Sequence, residues 1–567
     1  MNARAKAAFA PFPPWRWQVP ARLNIGVACT DAHLGTAAQD RIAMIVEDDA
    51  LGTSAITYGA LAERTSRFAE LLRHLCIGAG ERVLIRLPNS IDYPTAFLGA
   101  MKRGAISVPT STLLTAEEVE YLAHDSGAQA IVIDKAAWNA MGPKLAGRES
   151  LRFALLSGPG EVTPVAGVET VDLEPALAAI PAWEPAEDTA IDDPAYLVYT
   201  SGTTGYPKGV LHGHRSLIGR MPAATYWFDF RGREAPATGS GHGDHEGAAP
   251  PGQGDRIVHS GKFNWTYVLG SALMDPLHHG KTVIAHEGRS DAQTWPRLIA
   301  KHGATIFIGV PTIYRQILQK TKFTKADVPT LRHCMSAGEH LSDEVFGLWK
   351  ERFGLDIFEA VGMSEFSYYL SQSKYRPIRP GSAGFPQPGH DIRLLDPESL
   401  AQAPAGEEGM ICIPESDPGL FLRYWNLPDE TARLKHDGWF FTGDYARYDA
   451  DGYLWFLGRK DDIIKSFGYR VSPYEVERVL KSHPAVADCA CVGEQAGKDK
   501  LLVVAYVIAH PGAAVGPDEL AAFGREHLAA YKAPRVVYLA KDFPRTRNGK
   551  ILRREIRPDI ALSRSNG

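Results

Sequence analysis

From about Leu51 to Pro194 the apolar positions switch between two periods. Tyr58–Leu75, Tyr93–Arg103 and Glu117–Ser126 carry them at helical spacing. Arg82–Pro88 (RVLIRLP), Ala105–Pro109 and Ala128–Asp134 (AQAIVID) are short, apolar runs that predict strands. Such alternation predicts βα units and a mostly parallel sheet covered by helices, in which ligands collect at the loops beyond the strand ends. Ala195–Tyr199 (AYLVY) is a further strand, and Arg215–Phe228 is expected to be a helix. Lys281–His286, Thr305–Val310 and Leu331–Met335 continue the strands. Near Gly406–Pro418 the pattern shifts to shorter strands and turns. From Asp461 onward, strands at Ala487–Val492 and Leu501–Ile508 and helices around Tyr474–Ser482 and Pro517–Ala530 suffice for a small separate α+β domain. The expected class is α/β, with a large N-terminal domain over 1–458 that has a β-rich part, and a small C-terminal domain over 459–567.

A chain of 567 residues exceeds one ordinary core, which agrees with two domains. Its net charge of −5 gives no nucleic-acid footprint. Cys29, Cys76, Cys334, Cys412, Cys489 and Cys491 lack CxxC spacing, so reduced thiols in a cytoplasmic setting are expected, with Cys489 and Cys491 packing along a strand. No run reaches the ~18 apolar residues that span a bilayer. The N-terminal segment, broken by prolines, reads as an arm lying on the domain and not as a signal peptide, and the terminal SRSNG is no peroxisomal signal. The stretch 231–255 is rich in Gly, Ala and Pro and predicts a mobile surface insertion; His242 and His245 in it are a poor metal site.

Chemistry concentrates in a few strings. Tyr199–Gly209 (YTSGTTGYPKG) follows the AYLVY strand directly. Gly202, Gly205 and Gly209 let backbone N–H groups approach an anion. Thr200, Ser201, Thr203 and Thr204 donate further hydrogen bonds, and Lys208 adds charge, a combination suited to a polyphosphate. Pro207 and the lack of Ser/Thr after Lys208 exclude a Walker A loop. In Glu359–Phe366 (EAVGMSEF), a hydroxyl followed by a carboxylate suits a phosphate oxygen together with Mg²⁺. Asp444, in Thr442–Asp444 (TGD), suits a diol. A lysine on the turn of Pro544–Lys550 (PRTRNGK) can swing in as a point charge.

In this order, together with Ser336–Leu341 (SAGEHL) and Gly458–Glu477 (GRKDDIIKSFGYRVSPYEVE), these strings resemble the motifs of the AMP-forming adenylating superfamily of acyl-CoA synthetases, luciferases and peptide-synthetase adenylation domains. The resemblance runs from about Leu51 to Arg554 and is nearest to the medium-chain and aromatic acid–CoA ligases. It implies that Gly338, Glu339 and His340 wall the adenine. It places Glu359, Gly362 and Ser364 by the nucleotide and Glu365 on Mg²⁺, with Val361 departing from the usual aromatic. Asp444 and Arg459 would hold the ribose, Asp461 would be the hinge of a mobile C-terminal domain, Gly468 would lie by the pantetheine path, and Arg470 would face the phosphate. Lys550 would contact the carboxylate and the α-phosphate. Lys262–Gly270 (KFNWTYVLG) resembles the segment lining the acyl pocket, making Phe263, Trp265, Tyr267 and Val310 candidates.

The implied activity joins a carboxylic acid (aromatic, cyclic or medium-chain) to CoA. ATP first converts the acid to acyl-AMP with release of pyrophosphate; the thiol then displaces AMP. ATP, Mg²⁺ and coenzyme A are the implied cofactors and co-substrates, and a homodimer is an admissible assembly. Two other readings stay open: an adenylation enzyme that loads a carrier protein, and a catalytically silent nucleotide binder.

Overall fold

The computed structural model describes residues 12–145, 150–200, 207–231, 254–338, 341–459, 462, 464–466, 469–495, 501–545 and 551–565. Two large sheets form the body. The first has nine strands, in the order Phe385–Pro386, Ser367–Ser371, Ile357–Met363, His333–Ala337, Ile306–Gly309, Arg256–His259, Thr282–Glu287, Ile42–Asp48 and Gly52–Thr57. Its centre is parallel and its two edges are antiparallel. The second has eight strands, with a parallel run of six from Glu169–Asp172 to Pro194–Thr200; Lys208–Gly213 and Arg423–Tyr424 close it antiparallel. The central strands read as apolar runs because both faces are buried.

Tyr58–His74 and Asp92–Lys102 fill the space between these sheets. Phe68, Leu72, Phe97 and Met101 join Met44 and Val283 of one sheet to Val83 and Val132 of the other in one core. A five-stranded antiparallel sheet that includes Glu408–Pro414, Trp439–Tyr448 and Leu454–Arg459 supplies the β-rich part. Beyond it lie the Ile464–Ser466/Tyr469–Val471 hairpin and a four-stranded sheet with helices Pro473–Lys481 and Pro517–His527. These share their own core, in which Cys489 and Cys491 are fully buried on one face of a strand.

The expected Arg215–Phe228 helix is two short ones, Ser216–Gly219 and Ala223–Tyr226. Pro222 starts the second, and a Cβ on Gly219 would lie 2.3 Å from the Gly419 backbone, so the chain bends where a long helix would collide. The insertion is narrower than 231–255, and its residues 232–253 lie outside the described ones. Its ends meet, with the Arg231 N–H donating to Asp255 at 2.6 Å. Asp255 is buried and grips the Arg332 guanidinium, so it belongs to the fold and not to a surface loop. The described part of the N-terminal arm, from residue 12, lies on the body: Trp17 donates to the Gly389 carbonyl at 3.0 Å and meets His390 edge-on, while residues 1–11 lie outside the described ones. No helix among the described residues is long and apolar enough to cross a membrane.

Candidate active site

Thr200 ends its strand opposite Lys208, and Tyr199 sits opposite Gly209, so the two ends of the phosphate-loop string lie on paired antiparallel strands. Ser201, Gly202, Thr203, Thr204 and Gly205 themselves lie outside the described residues. The base of the hairpin is fastened on both sides. Tyr199 donates to Asp125 at 2.6 Å, and a Cβ on Gly209 would come within 2.9 Å of Leu197 and of Trp425. Lys208 Nζ meets Glu430 at 2.6 Å, with both side chains about four-fifths buried.

The hairpin is tied to the carboxylate loop by two contacts. His212 Nε2 donates to the Ser364 carbonyl at 2.8 Å, and burial pushes this imidazole down to about 3, so it stays neutral. Tyr424, paired with Val210, donates to Glu365 Oε1 at 2.8 Å. Burial, with the Glu365 carboxylate beside it, pushes the Tyr424 phenol up, while the Arg459 charge acts in the opposite sense. Thr266 Oγ1 lies 3.4 Å from Ser364 Oγ, which brings the acyl-segment string to the same place. Thus Lys208, Ser364, Glu365 and Thr266 converge from separate strings. Tyr424, His212 and Glu430 are contributors with no motif of their own.

Glu359 departs from its expected nucleotide-side position. It is buried, and its carboxylate accepts from the Leu341 N–H at 3.0 Å and the Gly381 N–H at 3.3 Å. Burial raises its pKa to about 8. Its work is to hold the segment after Gly338 in place. Gly362 is a close approach within the hairpin: a Cβ there would sit 1.9 Å from the Ser367 carbonyl oxygen. Gly338 has φ +93° and faces the Trp265 ring, 3.2 Å from where its Cβ would be, so a side chain is excluded twice. Glu339 and His340 lie outside the described residues.

Asp444 and Arg459 face one another across a strand pair, Arg459 Nε at 3.4 Å from Asp444 Oδ1. Half of the Arg459 side chain is exposed, and the Asp444 N–H is held by Thr442 Oγ1 at 3.0 Å. Asp461, Gly468 and Lys550 lie outside the described residues; Arg470 is placed only through its backbone, opposite Lys465 in a hairpin.

The acyl candidates occupy different surroundings. Phe263 does not face the site: it is 2% exposed and packs on Tyr93 at 5.3 Å within the core between the sheets. The Asn89 side chain receives the Phe263 N–H and holds it there. Trp265 starts the Thr266–Leu269 helix beside Gly338, and Tyr267 meets it edge-on at 5.2 Å. Val310 caps the Pro311–Lys320 helix at the end of the Ile306–Gly309 strand. A π-helical turn follows at Gly270–Met274. Gly270 is required there, because a Cβ would strike the Arg220 guanidinium.

Residues 33–425 match the AMP-binding enzyme family, and residues 475–550 match the AMP-binding enzyme C-terminal domain. A benzoate–CoA ligase of Thauera aromatica is 33% identical over 506 residues, covering 88% of this chain and 90% of that protein. The crystal structure of a benzoate CoA ligase from Burkholderia xenovorans LB400 superposes with a TM-score of 0.80 at 29% identity, over 94% of this chain and 99% of that one. The anthranilate CoA ligase AuaEII, in complex with anthranoyl-AMP, superposes at 0.79 and 28% identity over 94% and 96%. With a family match over residues 33–425 and a relative 33% identical over 88% of the chain, the chain belongs to the AMP-binding enzyme family and is an AMP-forming acid–CoA ligase.

Proposed function

We propose that this ligase activates an aromatic carboxylic acid, with its sites divided as follows. Thr200, residues 201–205 and Lys208 hold the β- and γ-phosphates of ATP. Asp444 and Arg459 hold the ribose, and Gly338 with residues 339–340 lines the adenine. Trp265, Tyr267 and Val310 wall the acid. The observation that carries this reading is the double fastening of the hairpin to the carboxylate loop, through His212 to Ser364 and Tyr424 to Glu365. It holds the phosphate-loop lysine and the carboxylate loop in a fixed relation before any substrate arrives.

Glu365 suits Mg²⁺: Tyr424 occupies one carboxylate oxygen, and Mg²⁺ is commonly held by one or two carboxylates together with substrate phosphates and water. Bound there, the ion would neutralise phosphate charge. A carboxylate is a weak nucleophile and the phosphates repel it. Lys208 and the loop hydroxyls disperse that charge, and Lys550 balances what builds up at the α-phosphate as the acid oxygen attacks it and pyrophosphate leaves. The part of the chain over 459–567 then turns about Asp461, withdrawing Lys550 and presenting Gly468 to the CoA channel. The thiol attacks the acyl carbon and AMP departs.

Acid-dependent ATP–pyrophosphate exchange, followed by CoA-dependent thioester formation, tests this reading. Exchange with aliphatic acids alone would overturn the aromatic assignment. Exchange without any CoA product would move the chain to carrier loading.

A further inference from the structure

Tyr267 of the acyl segment and the neighbouring His259 form a polar pair to which the proposed chemistry gives no hydrogen-bonding role. His259 ends a strand of the nine-stranded sheet and is 3% exposed. Its Nδ1 accepts the Gly261 N–H at 2.9 Å, which places the ring hydrogen on Nε2. Burial pushes the imidazole down to about 3, so the ring is neutral and Nε2–H is a donor only. Nε2 is buried and has no hydrogen-bond partner. The Tyr267 ring lies 5.0 Å away, edge-on, and its hydroxyl is likewise buried and without a partner.

Tyr267 belongs to the proposed acyl wall, and His259 packs edge-on behind it. Tyr267 touches Trp265, and Trp265 lies against Gly338. The rest of the surrounding shell, Tyr368 and Trp227, already uses its polar atoms: Tyr368 is engaged by Arg220 and Asp275, and Trp227 donates to the Phe358 carbonyl. Two neighbouring buried polar groups left without partners are costly for the protein alone. That cost is recovered when a substrate supplies the missing partners.

From this geometry we infer that the acid is a phenolic one, its ring hydroxyl accepting from His259 Nε2–H and exchanging a hydrogen bond with the Tyr267 hydroxyl. The inference rests on the proposed aromatic-acid reading and sharpens it. A phenolic oxygen both accepts and donates, so it satisfies both groups. An aromatic amine donates to Tyr267 but accepts poorly from His259, and an unsubstituted ring satisfies neither. A site built to bond a hydroxyl rejects the analogue that lacks it by large factors, because its own groups are then buried unpaired.

The test compares kcat/KM in ATP–pyrophosphate exchange for benzoate, the three monohydroxybenzoates and 3-aminobenzoate, in the full-length enzyme and in His259→Phe and Tyr267→Phe. The expected result is one hydroxybenzoate preferred over benzoate by at least about tenfold, with that ratio falling toward one in both variants. Tyr267→Phe removes a single oxygen, so it keeps the test usable if His259→Phe folds poorly. Its melting temperature is expected to stay level or rise, since an unbonded buried hydroxyl is lost. Benzoate used as well as every hydroxybenzoate, a preference that survives both substitutions, or a clear fall in the Tyr267→Phe melting temperature would each overturn the inference. No exchange with any aromatic acid would overturn the aromatic reading itself, and this inference with it.

Discussion

Tyr424 donates to Glu365 at 2.8 Å from a strand that extends the phosphate-loop sheet, and with the His212–Ser364 bond this contact joins the two halves of the proposed phosphate site. A hydrogen bond to a charged group contributes about 1.5–3 kcal/mol. Tyr424→Phe should therefore slow ATP–pyrophosphate exchange by roughly tenfold to a hundredfold and raise the Mg²⁺ concentration needed for half-maximal rate. Glu365→Gln should cost more. Unchanged Mg²⁺ dependence in Tyr424→Phe would leave the tyrosine a packing role only.

Lys208 pairs with Glu430 at 2.6 Å, and the same carboxylate also holds Arg433 at 2.9 Å. Both cations keep the Glu430 carboxyl below its usual range. Phosphate binding by Lys208 requires this pair to loosen, so Glu430 competes with ATP. About a fifth of each side chain stays exposed, and an ion pair that water still reaches contributes up to about 1 kcal/mol. Glu430→Gln should lower the KM for ATP by a few-fold, and Lys208→Ala should raise it. Steady-state kinetics with ATP varied decide this; a raised KM in Glu430→Gln would mean that the carboxylate positions the lysine instead.

The proposed division of labour between half-reactions separates Lys550 from Asp444. Lys550→Ala should reduce acid-dependent exchange by about a hundredfold or more, on the scale of losing one charge-stabilising group. Supplied with synthetic acyl-AMP and CoA, the same variant should form thioester near the normal rate. Asp444→Ala should weaken both halves, because the ribose is common to ATP and the adenylate. Equal losses in both assays for Lys550→Ala would contradict a role confined to adenylation.

Much of this was legible because the informative strings are local. A Gly/Thr-rich loop at the end of an apolar strand is visible within ten or so residues, and the structure places Thr200 and Lys208 on opposing strands at that point. What joins the strings was not legible. His212 and Ser364, or Tyr424 and Glu365, are far apart in sequence and carry no shared pattern. Phe263 and Trp265 look alike as aromatic residues two apart, yet Phe263 is locked by Asn89 inside the core between the sheets, while Trp265 packs on the edge of that core and also meets Gly338. From sequence, Glu359 is expected by the nucleotide because it opens the EAVGMSEF string that resembles the family's motif. Its burial, and its two backbone donors, appear only when Leu341 and Gly381 are folded around it.

The buried histidines make the folded chain sensitive to acid. Burial pushes His212 and His259 down to about 3, and His214, His278 and His333 to about 4. Unfolded, each titrates near its ordinary 6.5, so between those limits the unfolded chain binds more protons and stability falls as pH falls. Two carboxyls oppose this: burial raises Glu359 to about 8 and Asp275 to about 7, so the folded chain binds their protons more tightly, and their contribution fades as pH rises through that range. Near pH 5 these groups together leave a net uptake of about three protons on unfolding, at about 1.4 kcal/mol per pH unit for each. His333 offers the cleanest check, because its Nε2 donates to the Trp227 carbonyl at 2.7 Å and a glutamine amide can donate in its place. Urea midpoints measured from pH 7 to 4.5 should fall for the wild type, and His333→Gln should flatten the curve by about one proton. A His333→Gln curve parallel to the wild type would mean that this imidazole is already charged in the fold.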